Sequence, residues 1–375
     1  MAGIYIHIPF CKRRCIYCDF YSTTHNEMQE AYIQAVCQEL DMRKDYLKGE
    51  IIETIYLGGG TPSQLGHDSL HLLLNHIYKE YPVSSEAEIT IEANPDDLHE
   101  DYIRMLRSLP FNRISMGIQT FHEPLLQKLQ RRHTAKQAVG AFTNCRKAGF
   151  NNISIDLMYG LPGETTEIWE RDLNQAIHLR PEHFSAYHLI YEEGTPLWKL
   201  REQKAVQEVD ESTSVLFFRM LMERLQEAGY EHYEISNFAL PQKESRHNSS
   251  YWKGKNYLGC GAAAHSYNGL SRQWNISSLE QYIKGIQSNA PCFEKEELDL
   301  NTRYNDYIIT RLRTHWGISL TELNEIFGEA LRAYCIKLAK PHLQQGTLVQ
   351  EDDTIRLTRE GIFISDGIMS DLLWV

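Results

Sequence analysis

The chain has 375 residues, 42% of them apolar and 23% charged, with 38 Lys and Arg against 50 Asp and Glu for a formal charge of −12 at pH 7. These values fit an ordinary globular protein with room for two domains, and they argue against a general nucleic-acid binder or a strongly basic membrane-surface protein. No apolar run approaches the length of a bilayer span and the first ten residues read as a strand, not an export signal, so a cytosolic home with reduced thiols is expected.

An apolar stretch at 3–10 runs directly into Cys11, Cys15 and Cys18, with three and then two residues between them. Thiolates converging from so tight a loop suit an iron-sulfur cluster, zinc or copper(I). A [4Fe-4S] cube usually takes four protein thiolates, so three would leave one iron open to a small chelating molecule. A zinc site completed by His7 or His25, or a disulfide with one thiol left over, are the alternatives. Cys37, Cys145, Cys260, Cys292 and Cys335 are too scattered for a disulfide framework.

Beyond the cysteines, periodicity predicts helices at 27–48, 70–81, 101–109, 135–148, 168–179 and 214–228. These alternate with strands at 51–57, 88–93, 113–118, 153–158 and 184–190. With the first strand this makes six strand-helix units. They predict an α/β fold in which parallel strands joined by right-handed crossovers curl into a partial (β/α)6 barrel. Reactive groups of parallel barrels collect at the carboxyl ends of the strands. The residues there are the cysteine loop, Gly58-Gly59-Gly60-Thr61, Glu92 to Asn94, Gln119, Asp156 with Gly160-Leu161-Pro162-Gly163, and Tyr187-His188. Taken singly, the glycines could form only a turn, and the carboxylates and amide could cap helices.

The alternation loosens at 231–238, a strand and turn, and at 242–246, a polar loop. His247-Asn248-Ser249-Ser250-Tyr251-Trp252 follows. Residue types alone favour a loop histidine beside core aromatics; the functional reading is an axial iron ligand beside flat surfaces for a porphyrin. From 298 onward, helices at 303–314, 320–327 and 331–343, a hairpin pairing 347–349 with 354–357 and a last helix at 361–373 suggest a smaller winged-helix-like domain. Its segment 341–375 carries two Arg against six acids, the wrong sign for phosphate affinity, so no nucleic acid is expected as a partner. The predicted organisation is a barrel at 1–230, a connecting region at 231–297 and the carboxy-terminal domain at 298–375.

Tyr5-Ile6-His7-Ile8-Pro9-Phe10-Cys11, the three-cysteine loop and Gly58-Gly59-Gly60-Thr61-Pro62 resemble the radical S-adenosylmethionine (SAM) superfamily, over nearly the whole chain. More narrowly they resemble its oxygen-independent coproporphyrinogen III oxidase branch. The resemblance implies a [4Fe-4S] cluster on Cys11, Cys15 and Cys18 whose open iron chelates SAM. It implies that Tyr5 and Tyr17 flank cluster and cofactor, that Gly59, Gly60 and Thr61 meet the methionine end, and that Glu92, Gln119, Arg131 and Asp156 contact the cofactor. Tyr187 and His265 fall near further matched positions.

Two features depart from the coproporphyrinogen enzyme: Phe20 stands where it has a fourth cysteine, and four residues precede the first motif where it has a long segment. Both match instead the heme-chaperone group called HemW, as does the His-Asn-x-x-Tyr-Trp motif. That resemblance implies heme as a further cofactor, bound with His247 as iron ligand and Asn248, Tyr251 and Trp252 around it. The implied partners are a heme-accepting respiratory membrane protein, met at the membrane surface, and an electron donor; a homodimer is left open. No catalytic residue is assigned. The alternative function is oxidative decarboxylation of coproporphyrinogen III.

Overall fold

The computed structural model describes residues 2–375. Six strands form its parallel centre: β1 (Ala2–Ile8), β2 (Ile52–Gly59), β3 (Val83–Ala93), β4 (Arg113–Gln119), β5 (Ile153–Tyr159) and β6 (His183–His188), hydrogen-bonded in sequence order. Between and after them run α1 (Gln29–Met42), α2 (His67–Glu80), α3 (Glu100–Arg107), α4 (Glu123–Lys128), α5 (Ala135–Lys147), α6 (Thr166–Leu179), α7 (Pro196–Glu202) and α8 (Glu211–Glu227). Helix starts follow from local chemistry. Thr134, Thr165 and Asp210 each accept a backbone N–H three residues on, and at α5 Gln137 completes a capping box.

Strand register divides the side chains into two sets. One set, including Ile4, Ile6, Ile55, Leu57, Ile89, Ile91, Ile114, Met116, Ile155 and Phe184, is buried in the main apolar core. The other set faces the interior: Tyr5 lies beside Tyr56, Tyr56 beside Thr90, Glu92 beside Ser115, Gly117 beside Asp156 and Asp156 beside Ser185. An alternation of two per strand residue thus gives an apolar exterior under the helices and a polar interior.

The sheet stays open. On one edge β7 (Glu231–Glu234) and β8 (Asn237–Ala239) pair antiparallel beyond β6. On the other, β9 (Tyr257–Cys260) adds parallel to β1, and β10 (His265–Tyr267), β11 (Ser271–Asn275) and β12 (Phe293–Glu297) continue antiparallel. Segment 231–297 therefore reaches both edges, with α9 (Arg246–Trp252) crossing between them and α10 (Leu279–Gln287) packed on α1. The last part, α11 (Leu300–Leu312), β13 (Ile318–Ser319), α12 (Leu320–Phe327), α13 (Glu329–Gln345), β14 (Leu348–Glu351) and β15 (Thr354–Leu357), has its own apolar core and a sheet in the order β13-β15-β14, a winged-helix-like arrangement. Among the described residues no helix is long and apolar enough to cross a membrane.

Several expected elements differ. The helix expected at 27–48 stops at Met42, where Arg43 leaves helical geometry at φ −112° and ψ 14°; turns follow, with Lys48 and Gly49 at positive φ before β2. α4, α7 and β9 to β12 were absent from the periodic reading, being short segments without a sustained pattern. The motif at 247–252 is helical, capped by Ser245. The final helix is broken into α14 (Arg359–Ile362) and α15 (Ser365–Asp371), where Phe363 turns to pack edge-on against Phe218.

One buried ion pair joins the edge extension to the barrel. Glu39 of α1 accepts hydrogen bonds from Arg43 (3.0 Å), the Gly261 amide (2.8 Å), Asn275 (2.8 Å) and the Tyr282 hydroxyl (2.6 Å). Arg43 in turn donates to the Gly259 carbonyl, Ser266 and Gln273. Glu39→Ala strands the Arg43 charge and is expected to cost about 3–5 kcal/mol, read as a lower urea midpoint. The Glu39→Ala, Arg43→Met double variant is expected to recover only part of that loss, because the Gly261 amide, Asn275 and the Tyr282 hydroxyl still lack their acceptor.

Candidate functional site

The carboxyl ends of the six strands open into a cavity of about 470 Å3. The cysteine loop forms one wall. It is anchored by a short bridge, with the Cys11 amide donating to the Thr23 carbonyl (2.8 Å) and the Thr23 amide donating to the Pro9 carbonyl (2.7 Å). Beneath it buried Asp97 gathers Lys12 (3.1 Å), Ser63 (2.8 Å), Gln64 (2.5 Å) and Arg132 (3.2 Å), tying the loop to the turns after β2, β3 and β4.

Cys11, Cys15 and Cys18 all line this cavity and the other five cysteines do not; all eight are free thiols. Cys11 Sγ lies 3.3 Å from the Thr61 hydroxyl, and Arg131 donates to Cys15 Sγ at 3.4 Å. Burial pushes the Cys11 thiol up and the Cys18 thiol up to about 11, so a bare thiolate is not favoured here. The histidines that could complete a zinc site are engaged elsewhere. His7 bonds the Tyr5 hydroxyl and the Tyr21 carbonyl, and exposed His25 pairs with Glu27. His188 also lines the cavity, but its Nε2 is hydrogen-bonded with Ser214 at 3.0 Å, so the three cysteines form the donor set that suits a cluster with one open iron.

Gly59 and Gly60 bring backbone up to the loop. A Cβ on Gly59, at φ +107°, would fall 2.4 Å from the His7 ring, and one on Gly60 would meet the Pro9 backbone at 2.7 Å. Glu92 accepts from the Tyr56 hydroxyl (2.7 Å) and the Gly59 amide (3.1 Å), and burial pushes its carboxyl up to about 7. Asp156 is likewise raised by burial and accepts from Ser115 at 3.1 Å. At Gln119 the register of β4 slips against β5 and φ is +70°, a bulge that aims the side chain into the cavity. Arg131 donates to Asn94 (2.6 Å) and to the Gly117 carbonyl (2.5 Å). Tyr17, Thr61 and Tyr187 also line the space, the last with 45% of its surface exposed.

Two expected residues lie outside this lining. Tyr5 sits beneath it, against His7 and Tyr56. His265 is exposed on β10 opposite Trp274, two strands from the barrel edge, because β9 takes the place beside β1. Asn94, expected with Glu92 at the end of β3, lines the cavity, and Tyr56, Ser115, Gly117 and Ser185 line it without having been singled out. Their signal was available as polar alternates inside apolar strands, not at strand ends.

The motif on α9 closes the opposite, amino-terminal end of the barrel. Glu88 of β3 accepts the amides of Arg246 and His247, both at 3.1 Å. His247 is 1% exposed; its Nδ1 shares a hydrogen bond with Thr54 (2.8 Å) and its Nε2 with the Tyr251 hydroxyl (2.7 Å). Burial holds the imidazole neutral, its pKa down at about 3. The expectation of a loop histidine is therefore corrected: it is a helical residue with both ring nitrogens bonded to side chains. Asn248 reaches the cysteine-lined cavity from below, whereas Tyr251 and Trp252 line a separate cleft. Between the two, Tyr56 stacks on His247 and His247 meets Tyr251 edge-on, each at a centroid spacing of 5.0 Å.

Comparison with known proteins matches this architecture. The family profile of the radical SAM superfamily matches residues 5–176, and that of the HemN C-terminal domain matches residues 298–364. Among solved structures, coproporphyrinogen III oxidase (HemN) from Escherichia coli superposes with a TM-score of 0.86 at 22% identity, covering 99% of this chain and 89% of that one, a likeness of fold. The heme chaperone HemW of Bacillus subtilis is 33% identical over 100% of this chain and 99% of its own. That of Buchnera aphidicola from Acyrthosiphon pisum is 38% identical over 96% and 95%. With relatives above 30% identity along almost their whole length, the chain belongs to the HemW family within the radical SAM superfamily.

Proposed function

We propose that this protein is a heme chaperone. It carries a [4Fe-4S] cluster on Cys11, Cys15 and Cys18, binds SAM at the open iron, takes up heme at the α9 motif and passes it to a heme-requiring respiratory apoprotein at the membrane. The observation that carries this reading is the convergence of those three cysteines, alone among eight, on one cavity with the Gly59-Gly60 backbone, Glu92, Gln119, Arg131 and Asp156. The backbone at Gly59 and Gly60 suits the ammonium of the methionine end, Arg131 a carboxylate, and Glu92 or Asp156 the ribose hydroxyls. Phe20, 64% exposed at the mouth, leaves no fourth thiol two residues beyond Cys18. The full-length relatives named heme chaperones favour transfer of heme over decarboxylation of coproporphyrinogen III.

Iron ligation by His247 requires the Tyr251 hydroxyl to release Nε2. His247→Ala is therefore expected to weaken hemin binding about 10- to 100-fold. Tyr251→Phe, which removes the competing hydrogen bond, is expected to strengthen it roughly three- to tenfold. Soret titrations read both. Unchanged spectra and affinities in the two variants would remove His247 from the iron, and conversion of coproporphyrinogen III by the reconstituted protein would favour the enzyme over the chaperone.

A second expectation follows from Glu92, whose folded pKa of about 7 lies above the ordinary 4.5. Between those values the folded, ligand-free chain holds the extra proton. Glu92's contribution to stability thus falls as pH rises through that window and is level above it. Accepting two ribose hydroxyls needs the ionised form, so SAM affinity of the cluster-loaded protein should rise about tenfold from pH 6 to pH 8. In Glu92→Gln the affinity should be weaker and the pH slope flat; calorimetric titration at both pH values checks this.

A further inference from the structure

The cleft on the far side of α9 is a second cavity, of about 450 Å3, within the range of small-molecule sites. Three parts of the chain build it: the end of α9 with Tyr251 and Trp252, the edge strands with Tyr257 and Tyr267, and the carboxy-terminal domain with Tyr307 and Phe327. Six aromatic rings from three segments form walls suited to a flat apolar ligand. None of the functional assignments made from the cysteine-lined cavity uses this space.

Its charge is the other half of the observation. Lys253, Arg272, Arg303 and Arg311 line the cleft against Asp306 and Glu322, four cations to two carboxylates, a net of +2 in a chain of −12. The two carboxylates are already matched: Glu322 accepts from Arg311 at 2.7 and 2.9 Å and from the Tyr307 hydroxyl at 2.9 Å, and Asp306 pairs with Arg272 at 3.2 Å. Lys253 lies over the Trp316 ring at 4.0 Å, and neither it nor Arg303 makes an ion pair among the described residues. Two cations are therefore left for a ligand with two negative charges.

We propose that this cleft is the seat of a planar tetrapyrrole dianion. The macrocycle packs on the aromatic walls, and its two carboxylates meet Lys253 and Arg303. The proposal deepens, and rests on, the heme reading above. It places the ligand outside the cysteine-lined cavity, with Tyr251 standing between it and His247 Nε2. Because the carboxy-terminal domain supplies Arg303, Tyr307 and Phe327, that domain becomes part of the binding site and not merely a lid.

The test uses the full chain and three probes: hemin, hemin dimethyl ester and SAM. The Lys253→Gln, Arg303→Gln double variant changes side chains without ion-pair partners and should fold normally by circular dichroism. It should bind hemin roughly tenfold more weakly than the wild type, while the dimethyl ester, lacking free carboxylates, should bind both proteins alike. Thr310→Trp, which fills the cleft, should weaken both porphyrins and leave SAM binding to the cluster-loaded protein unchanged. Equal hemin affinity in all three proteins would overturn the cleft assignment and leave the heme reading standing. An equal loss for hemin and ester in the double variant would overturn the role given to Lys253 and Arg303. A wild type that binds no hemin would overturn both this proposal and the heme reading.

Discussion

Alternation along six parallel strands is the constraint on which the rest of this molecule depends. One set of alternates, almost all Ile, Leu, Met or Phe, packs under the helices. The other set turns Tyr56, Glu92, Ser115, Asp156 and Ser185 inward. A closed barrel would fill its interior with apolar side chains. Here the sheet stays open and the interior is polar, so it must be satisfied by its own hydrogen bonds or by a ligand. Arg113 illustrates the cost. It is 1% exposed, with Nε and Nη1 unpartnered, and its charge acts on Glu92 and Asp156 nearby. Both carboxyls are nevertheless raised by burial, so the arginine offsets only part of their desolvation.

That polar interior has two ends. At the carboxyl end the cysteine loop and the Gly59-Gly60 turn bring sulfur and backbone to the mouth. At the amino end α9 inserts His247 as a floor, bonded to Thr54 and Tyr251. The contact series Tyr56, His247, Tyr251 joins the two ends through one buried imidazole. Tyr56 in turn donates to Glu92, which also accepts the Gly59 amide. The same short helix that closes the barrel also faces the carboxy-terminal domain, where Arg311 donates to the Trp252 carbonyl. Packing, not a flexible linker, couples the three regions.

Much of this was legible in the chain, for identifiable reasons. The strand-helix alternation is a strong periodic signal, and strand ends are where a parallel sheet exposes polar groups, so Glu92, Gln119 and Asp156 could be picked out one by one. The cavity's inner lining was not seen, because Tyr56, Ser115 and Ser185 lie within their strands and only the residues at strand ends were inspected. The edge strands β9 to β12 were missed because they are three to five residues long and are held by Glu39 and Arg43 from a distant helix. For His247, the type of residue and its neighbours were visible. Its two side-chain partners were not, since Thr54 lies 193 positions away. His265 shows the limit of motif matching: β9 stands between its strand and β1, and it lies outside the cavity lining.

The central claim is that three thiolates hold a cluster with one iron open to SAM. The most direct measurement is anaerobic reconstitution followed by iron and sulfide analysis and electron paramagnetic resonance of the reduced protein, with and without SAM. The account predicts about four irons and four sulfides per chain, a spectrum whose g-values move when SAM is added, and loss of both in Cys15→Ala. Zinc without sulfide, or a cluster spectrum indifferent to SAM, would contradict it.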